Sequence, residues 1–317
     1  MLKPSAPTPD NLRTLKLSLF DQLDRYAYVA VLFNYLPNST SSYNHDELEK
    51  SLAETLTNKA AADNNNNNIE SSLLHLLPII DHQPSSPSSP LLGVQVNLPS
   101  FDPNTLTSTC TPNVIKRFVF DALAIENLKK TIKDDSTMMR QPTRLVVVMS
   151  LLWKVLAHIS SDKNKGNSRN SSFGSVMCLR GRIPSLERVV GTFSIPEIAN
   201  MEGGEYELND FVKLIGNRIG ETCAAIGKAS KLVDDISSLT INNQIKIIEK
   251  ILQRDNIDIY GTTSWCKYPW DEADFGWGKP FCVNPVSVGI HELIILMDTK
   301  YGDGIEIIVT MKENDMT

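Results

Sequence analysis

The stretch from Ile259 to Pro280, IYGTTSWCKYPWDEADFGWGKP, constrains the fold more than any other part of the chain. Three of the four tryptophans, Trp265, Trp270 and Trp277, lie within thirteen residues of it, beside Tyr260, Tyr268 and Phe275. Aromatic side chains remove more apolar surface from water than any others, so a run this dense predicts packed structure rather than a solvated loop. At its centre, Asp274-Phe275-Gly276-Trp277-Gly278 sets a carboxylate between aromatics and two glycines. The glycines permit backbone angles or close approaches that a side chain forbids, and the carboxylate needs a cation or amides to tolerate its neighbours. The pattern is that of a structural clamp.

A chain of 317 residues is long enough for about two domains and an ample core. Its net charge of -6 gives no support to nucleic-acid or anionic-membrane binding. The five cysteines, Cys110, Cys178, Cys223, Cys266 and Cys282, are scattered without a CxxC pair. They read as reduced thiols in a cytoplasmic protein, with no metal site expected. The opening MLKPSAPTPD lacks the apolar region of a secretory signal. The longest apolar run, Leu145 to Trp153, is shorter than the roughly 20 residues of a membrane span.

Leu15, Leu17 and Leu19 alternate with polar residues as in a strand, and Tyr28 to Leu36 predicts a second, more fully buried one. Asn44-His45-Asp46-Glu47 offers a capping box for an amphipathic helix to about Asn58. Residues 60–72 are low-complexity around Asn64 to Asn68, and 83–90 form a Pro/Ser linker. Leu73 to Ile80 suggests a short packed segment and Leu91 to Asn97 a strand. Further on, Lys116 to Phe120 predicts a strand, and Asp121 to Lys133 a helix with Leu123, Leu128 and Ile132 inward. A helix starts at Pro142-Thr143 and runs through Trp153, with 157 as its far end, and Phe173 to Arg182 predicts a strand before a Pro184 turn. Leu208 to Ile236 predicts a long amphipathic helix, and Ile241 to Leu252 another. Tyr301-Gly302-Asp303-Gly304 between two apolar runs signals a hairpin. The irregular alternation gives an α/β class.

The Asp-Phe-Gly-Trp-Gly run, with Thr263-Ser264-Trp265 before it, resembles the signature of the BAHD acyltransferases, plant enzymes that move an acyl group from acyl-CoA to an alcohol or amine. The opening LKPSAPTPDNLRTLKLSLFDQL and the closing MDTKYGDGIEIIVT are similar to the family's beginning and end. The resemblance covers roughly residues 1–57, 91–97 and 114–317, with the alkaloid acetylating members most alike. It implies two chloramphenicol-acetyltransferase-like domains of mixed sheet and helix with a channel between them. Residues 1–113 would form a shortened N-terminal half and 114–317 the C-terminal domain carrying the clamp. It also implies acyl-CoA, with acetyl-CoA favoured, as co-substrate, a small-molecule alcohol as acceptor, and a monomer without nucleic acid or membrane. After Asn97 the chain runs straight into LPSFDPNTLTS. The family's long intervening segment, with its catalytic His-x-x-x-Asp, has no counterpart there.

Acyl transfer to a hydroxyl needs a base near neutrality, usually His. The chain does contain His-x-x-x-Asp, at His158 and Asp162, but at helical spacing near a helix end and beside the polar run SSDKNKGNSRNSS. In the family the motif lies on a loop between Ser and Gly, whereas here the flanking residues are Ala157 and Lys163. We read it as a chance match and His158 as complementing the helix dipole. His45, His75, His82 and His291 are no better placed. The resemblance puts Thr263 and Trp265 at the reacting groups, with the Trp265 indole N–H as a donor to the developing oxyanion. Burial of Trp265 as an ordinary core residue stands equally open. It also assigns Asp274 a structural pairing with Arg180 or Arg182. Two other motif matches fail: Asp274-Phe275-Gly276 lacks the rest of a kinase, and Gly220 to Lys228 has the wrong spacing and Ala229 where a phosphate loop needs Ser or Thr. Two expectations result, an acyl-CoA-dependent O-acyltransferase and a catalytically inactive, acyl-CoA-binding relative.

Overall fold

The computed structural model describes residues 30–36, 49–50, 53–54, 113–132, 141–186, 193–229, 232–253, 256–275, 278–286, 293–312 and 316. The strands read at Leu15 to Leu19 and Leu91 to Asn97, the segments 60–72, Leu73 to Ile80 and 83–90, four of the five histidines, and Gly276 and Trp277 lie outside the described residues. In chain order the elements are β1 (Ala30–Asn34), β2 (Asn113–Phe120), α1 (Ala122–Thr131), α2 (Arg144–Lys163), β3 (Asn170–Cys178), β4 (Ser194–Met201), α3 (Leu208–Lys228), α4 (Leu232–Leu252), β5 (Ile257–Ser264), β6 (Cys282–Val286), β7 (Leu293–Asp298) and β8 (Ile305–Lys312). Residues 49–50 and 53–54 are helical, within the helix read at 44–58.

The chain divides into two compact units: residues 1–111, 180–193 and 269–290 form one, and 112–179, 194–268 and 291–317 the other. The sequence reading placed one boundary near 113 but kept Arg180, Arg182 and the clamp with the C-terminal residues. In the first unit β1 pairs antiparallel with β6, from Ala30 opposite Val286 to Asn34 opposite Cys282. β1 is less buried than its composition suggests, with Leu32 43% exposed and Leu36, just beyond it, 66%.

The second unit is a six-stranded mixed sheet in the order β2-β8-β7-β5-β3-β4. β5 runs parallel to both β3 and β7, and the other pairs are antiparallel. One face carries the core: Ile294, Leu296, Ile305, Ile307, Val309, Met311 and Phe173 pack with Ile125 of α1, Trp153 of α2 and Val212 of α3. Alternation along the strands fixes which residues face these helices. Trp153 is fully buried, stacks on Phe173 at 5.4 Å, meets Phe211 edge-on at 5.2 Å, and donates its Nε1–H to Ser171 Oγ at 3.0 Å.

Caps decide where these helices start. Asp121 accepts the Ala124 N–H at 2.7 Å, and the register this fixes turns Ile125 and Ile132 inward. Leu123, expected inside, is 63% exposed. Thr143 accepts the Val146 N–H at 3.3 Å and opens α2, which runs on to Lys163, past the end read at 157. α2 is long and apolar enough to span a membrane by length and composition, yet Val146 to Ser150, Trp153 and Leu156 are buried in the core. β3 stops at Cys178, before the left-handed Gly181 (φ 75°). The helix read as continuous from 208 to 236 ends at Lys228, because Ala229 is extended (φ -61°, ψ 114°), and α4 begins anew at Leu232.

α4 inverts the usual pattern. Ser237, Thr240 and Asn243 are buried, while Ile241, Ile245, Ile248 and Leu252 are exposed. The reason is Glu197 of β4, 2% exposed and ion-paired with Arg218 Nε at 2.7 Å. Arg218 Nη2 donates to Asn243 Oδ1 at 2.7 Å, and Asn243 Nδ2 donates to the Pro196 carbonyl at 2.9 Å. A buried charge demands polar company, and α4 supplies it through Asn243.

Candidate functional site

The carboxyl end of β5 brings together the residues that the sequence singles out from the second unit. Thr262 Oγ1 donates to the Gly174 carbonyl at 3.1 Å, which holds β5 against β3. Thr263 lies opposite Ile295 of β7, so alternation places both on the sheet face away from Ile294, Leu296 and the helices. Trp265, 9% exposed, follows the strand and donates its backbone N–H to the Leu296 carbonyl at 2.7 Å.

Around this end lies a cluster that the sequence reading missed. Asp298, the last residue of β7, pairs through Oδ1 with Arg144 Nη2 and accepts the Lys267 backbone N–H on Oδ2 at 2.6 Å. Arg144 also donates Nη1 to the Gly302 carbonyl at 2.6 Å, tying the head of α2 to the β7–β8 turn. Burial pushes the Cys266 thiol up to about 11, and neighbouring Asp298 adds to the rise, so Cys266 is a thiol rather than a thiolate at neutral pH. No signal in a single sequence joins Arg144 to Asp298, which stand 154 residues apart.

The clamp residues belong to the first unit. Asp274 accepts the Gly278 N–H on Oδ1 at 3.0 Å, and Gly278 is left-handed at φ 87°, an angle that glycine takes without strain. Phe275 meets Tyr35 edge-on at 6.3 Å, and the Tyr35 hydroxyl donates to the Ala273 carbonyl at 2.8 Å. Burial first, and the charge of Asp274 second, push the Tyr35 hydroxyl up to about 12. Arg180 lies 5.2 Å over the Phe193 ring, and Arg182 is exposed in the following turn.

His158 is the single histidine among the described residues. It stands on the last turns of α2 with its Nε2 3.8 Å from Asp162 Oδ2, and the two side chains are 78% and 70% exposed. A cavity of about 620 Å³ opens at the other end of β5, lined by Leu156, Ile159, Lys163, Asp258 and Tyr260 among others. There the Asp258 carboxylate is engaged by Arg169 Nε at 3.1 Å and by the Ser160 hydroxyl. Among the described residues no group of His, Cys, Asp and Glu gathers as a metal site.

The sequence matches the Transferase family over residues 1–60 and 74–317. Akuammiline synthase 1 of Alstonia scholaris is 26% identical over 406 aligned positions, covering 100% of this chain and 93% of that protein. Acetyl-CoA-benzylalcohol acetyltransferase of Clarkia breweri is 27% identical over 421, covering 100% and 95%. Both alignments are longer than the 317 residues of this chain, so these relatives carry internal positions for which it has no counterpart. The crystal structure of vinorine synthase matches the fold with a TM-score of 0.68 at 18% identity, over 99% of this chain and 94% of that one.

Proposed function

Because the chain belongs to the Transferase family, the BAHD acyltransferases, we propose that it moves an acyl group, acetyl first among candidates, from acyl-CoA to a hydroxyl of a plant specialised metabolite. The observation that carries the reading is the carboxyl end of β5, where Thr263 and the buried Trp265 are held by β7. In the transfer, the acceptor oxygen attacks the thioester carbonyl and loses its proton to a base. The tetrahedral oxyanion then collapses and expels CoA thiolate, which takes up a proton. Trp265 serves as the indole N–H donor to that oxyanion, a contact worth about 3–4 kcal/mol where it is preorganised. The acceptor is a small alcohol, and a cytoplasmic monomer with no resident cofactor or metal completes the proposal.

The exposure of His158 favours a second reading, an acyl-CoA-binding relative that no longer transfers. Calorimetric titration with acetyl-CoA, followed by CoA release with a panel of alkaloid and benzylic alcohols, separates the two. Saturable binding with acceptor-dependent CoA release supports the transferase. Binding without release supports the second reading, and no binding by a folded sample overturns both.

A further inference from the structure

The turn that follows Trp265 is closed by the Tyr268 N–H on the Trp265 carbonyl at 3.4 Å, and Lys267 occupies its third position at φ 69°. Glycine or asparagine is favoured there, and a lysine pays in steric strain for a left-handed angle. The compensation is visible. The Lys267 N–H is held at 2.6 Å by Asp298 Oδ2, and Asp298 is itself fixed by Arg144, which reaches on to the Gly302 carbonyl. Residue 265 is thus pinned on one side by its own N–H on Leu296 and on the other by a strained turn in which the Asp298 carboxylate holds the left-handed residue, beside weaker bonds from the Tyr268 and Cys266 N–H groups at 3.4 Å.

We propose that Asp298 and Arg144 are a positioning pair, whose task is to hold the Lys267 turn left-handed and so to aim the Trp265 side chain. The inference rests on the reading of Trp265 as the oxyanion donor, and it adds two residues to that site. Neither touches the reacting atoms. They act through the backbone of residues 265–268, just beyond the last β5–β7 ladder pair, Ser264 opposite Leu296. Misplacement of a catalytic group by about 1 Å can cost on the order of a hundredfold in rate, so the aim of the indole is the property such a pair protects.

The test is the indole N–H resonance of Trp265 in the full-length protein labelled with nitrogen-15, assigned by its loss in Trp265→Phe. Asp298→Ala is expected to move this resonance and leave the other tryptophan signals in place. Adding Lys267→Gly, which adopts the left-handed angle without an anchor, is expected to return it. A resonance unmoved in Asp298→Ala, or one that Lys267→Gly does not restore, overturns the proposal. Should Asp298→Ala fail to fold, Asp298→Asn with and without Lys267→Gly gives the same reading, because its NH2 replaces one of the two oxygens that accept from Arg144 and from the Lys267 N–H. Titration of the unmodified protein with acetyl-CoA is the separate test of function. Failure there, with the indole result intact, removes the proposed activity and leaves the positioning pair.

Discussion

Arg218→Met isolates what the Glu197 network contributes. The variant keeps much of the side-chain volume but removes the cation 2.7 Å from a carboxylate that is 2% exposed. Breaking a buried pair from one side costs about 3–5 kcal/mol, because the remaining charge has lost its solvent and its partner. Glu197 can escape only by taking a proton. Burial already raises its pKa above the ordinary carboxylate range, with Arg218 opposing the rise, and loss of Arg218 raises it further. A carboxyl whose folded pKa lies above its unfolded value contributes stability that is fully present below the unfolded pKa and is lost as pH rises through the folded one. Arg218→Met is therefore expected to be much less stable than the parent at pH 8 and closer to it at pH 5, by urea denaturation followed by circular dichroism. The double variant Glu197→Leu/Arg218→Met is expected to recover most of the loss, since an apolar pair needs no solvation. A loss at pH 8 below about 1 kcal/mol, or a double variant as unstable as the single one, refutes the reasoning.

Three further outcomes are expected. Gly304→Ala places a Cβ 2.5 Å from the Phe120 carbonyl oxygen and 2.8 Å from Thr299 Cγ2, so it should lower stability by about 1–3 kcal/mol, read as a lower melting temperature. Tyr35 should ionise near 12 by absorbance at 295 nm, and the stability it contributes below its unfolded value of 10.0 should be lost as pH rises through about 12. Asp274→Asn should bring that value down only slightly, because burial is the larger cause. His158→Ala should leave stability within about 0.5 kcal/mol and acetyl-CoA binding unchanged, since its pairing with Asp162 is solvated on both sides. Lost binding or transfer in that variant would bring His158 into the chemistry.

What the sequence makes legible is what local pattern encodes. The β-branched and aromatic residues of β2, the Thr143 start of α2 and the Tyr301-to-Gly304 hairpin all appear where alternation, capping and turn chemistry put them. The break between α3 and α4 was misplaced because apolar spacing continues from Ile226 to Val233 across it. The inverted face of α4 was hidden for a different reason: Asn243 answers Glu197 on β4, a partner that no spacing within α4 reveals. The same holds at the candidate site. Thr263 and Trp265 were recognised from a local motif, whereas Arg144, Asp298 and the backbone angle of Lys267 exist as a unit only once α2, β5 and β7 have met.

The sheet order also sets a timetable for synthesis. Among the described residues β2 pairs with β8 alone, from Asn113 opposite Lys312 to Phe120 opposite Ile305. A ribosome adding about 5–20 residues per second leaves β2 waiting on the order of 10–40 s for its partner. Throughout that interval its backbone N–H and C=O groups lack their ladder, and Ile115, Phe118 and Val119 stay exposed even once β8 has paired. The eight residues of β2 thus stay without a ladder partner until the last described strand arrives.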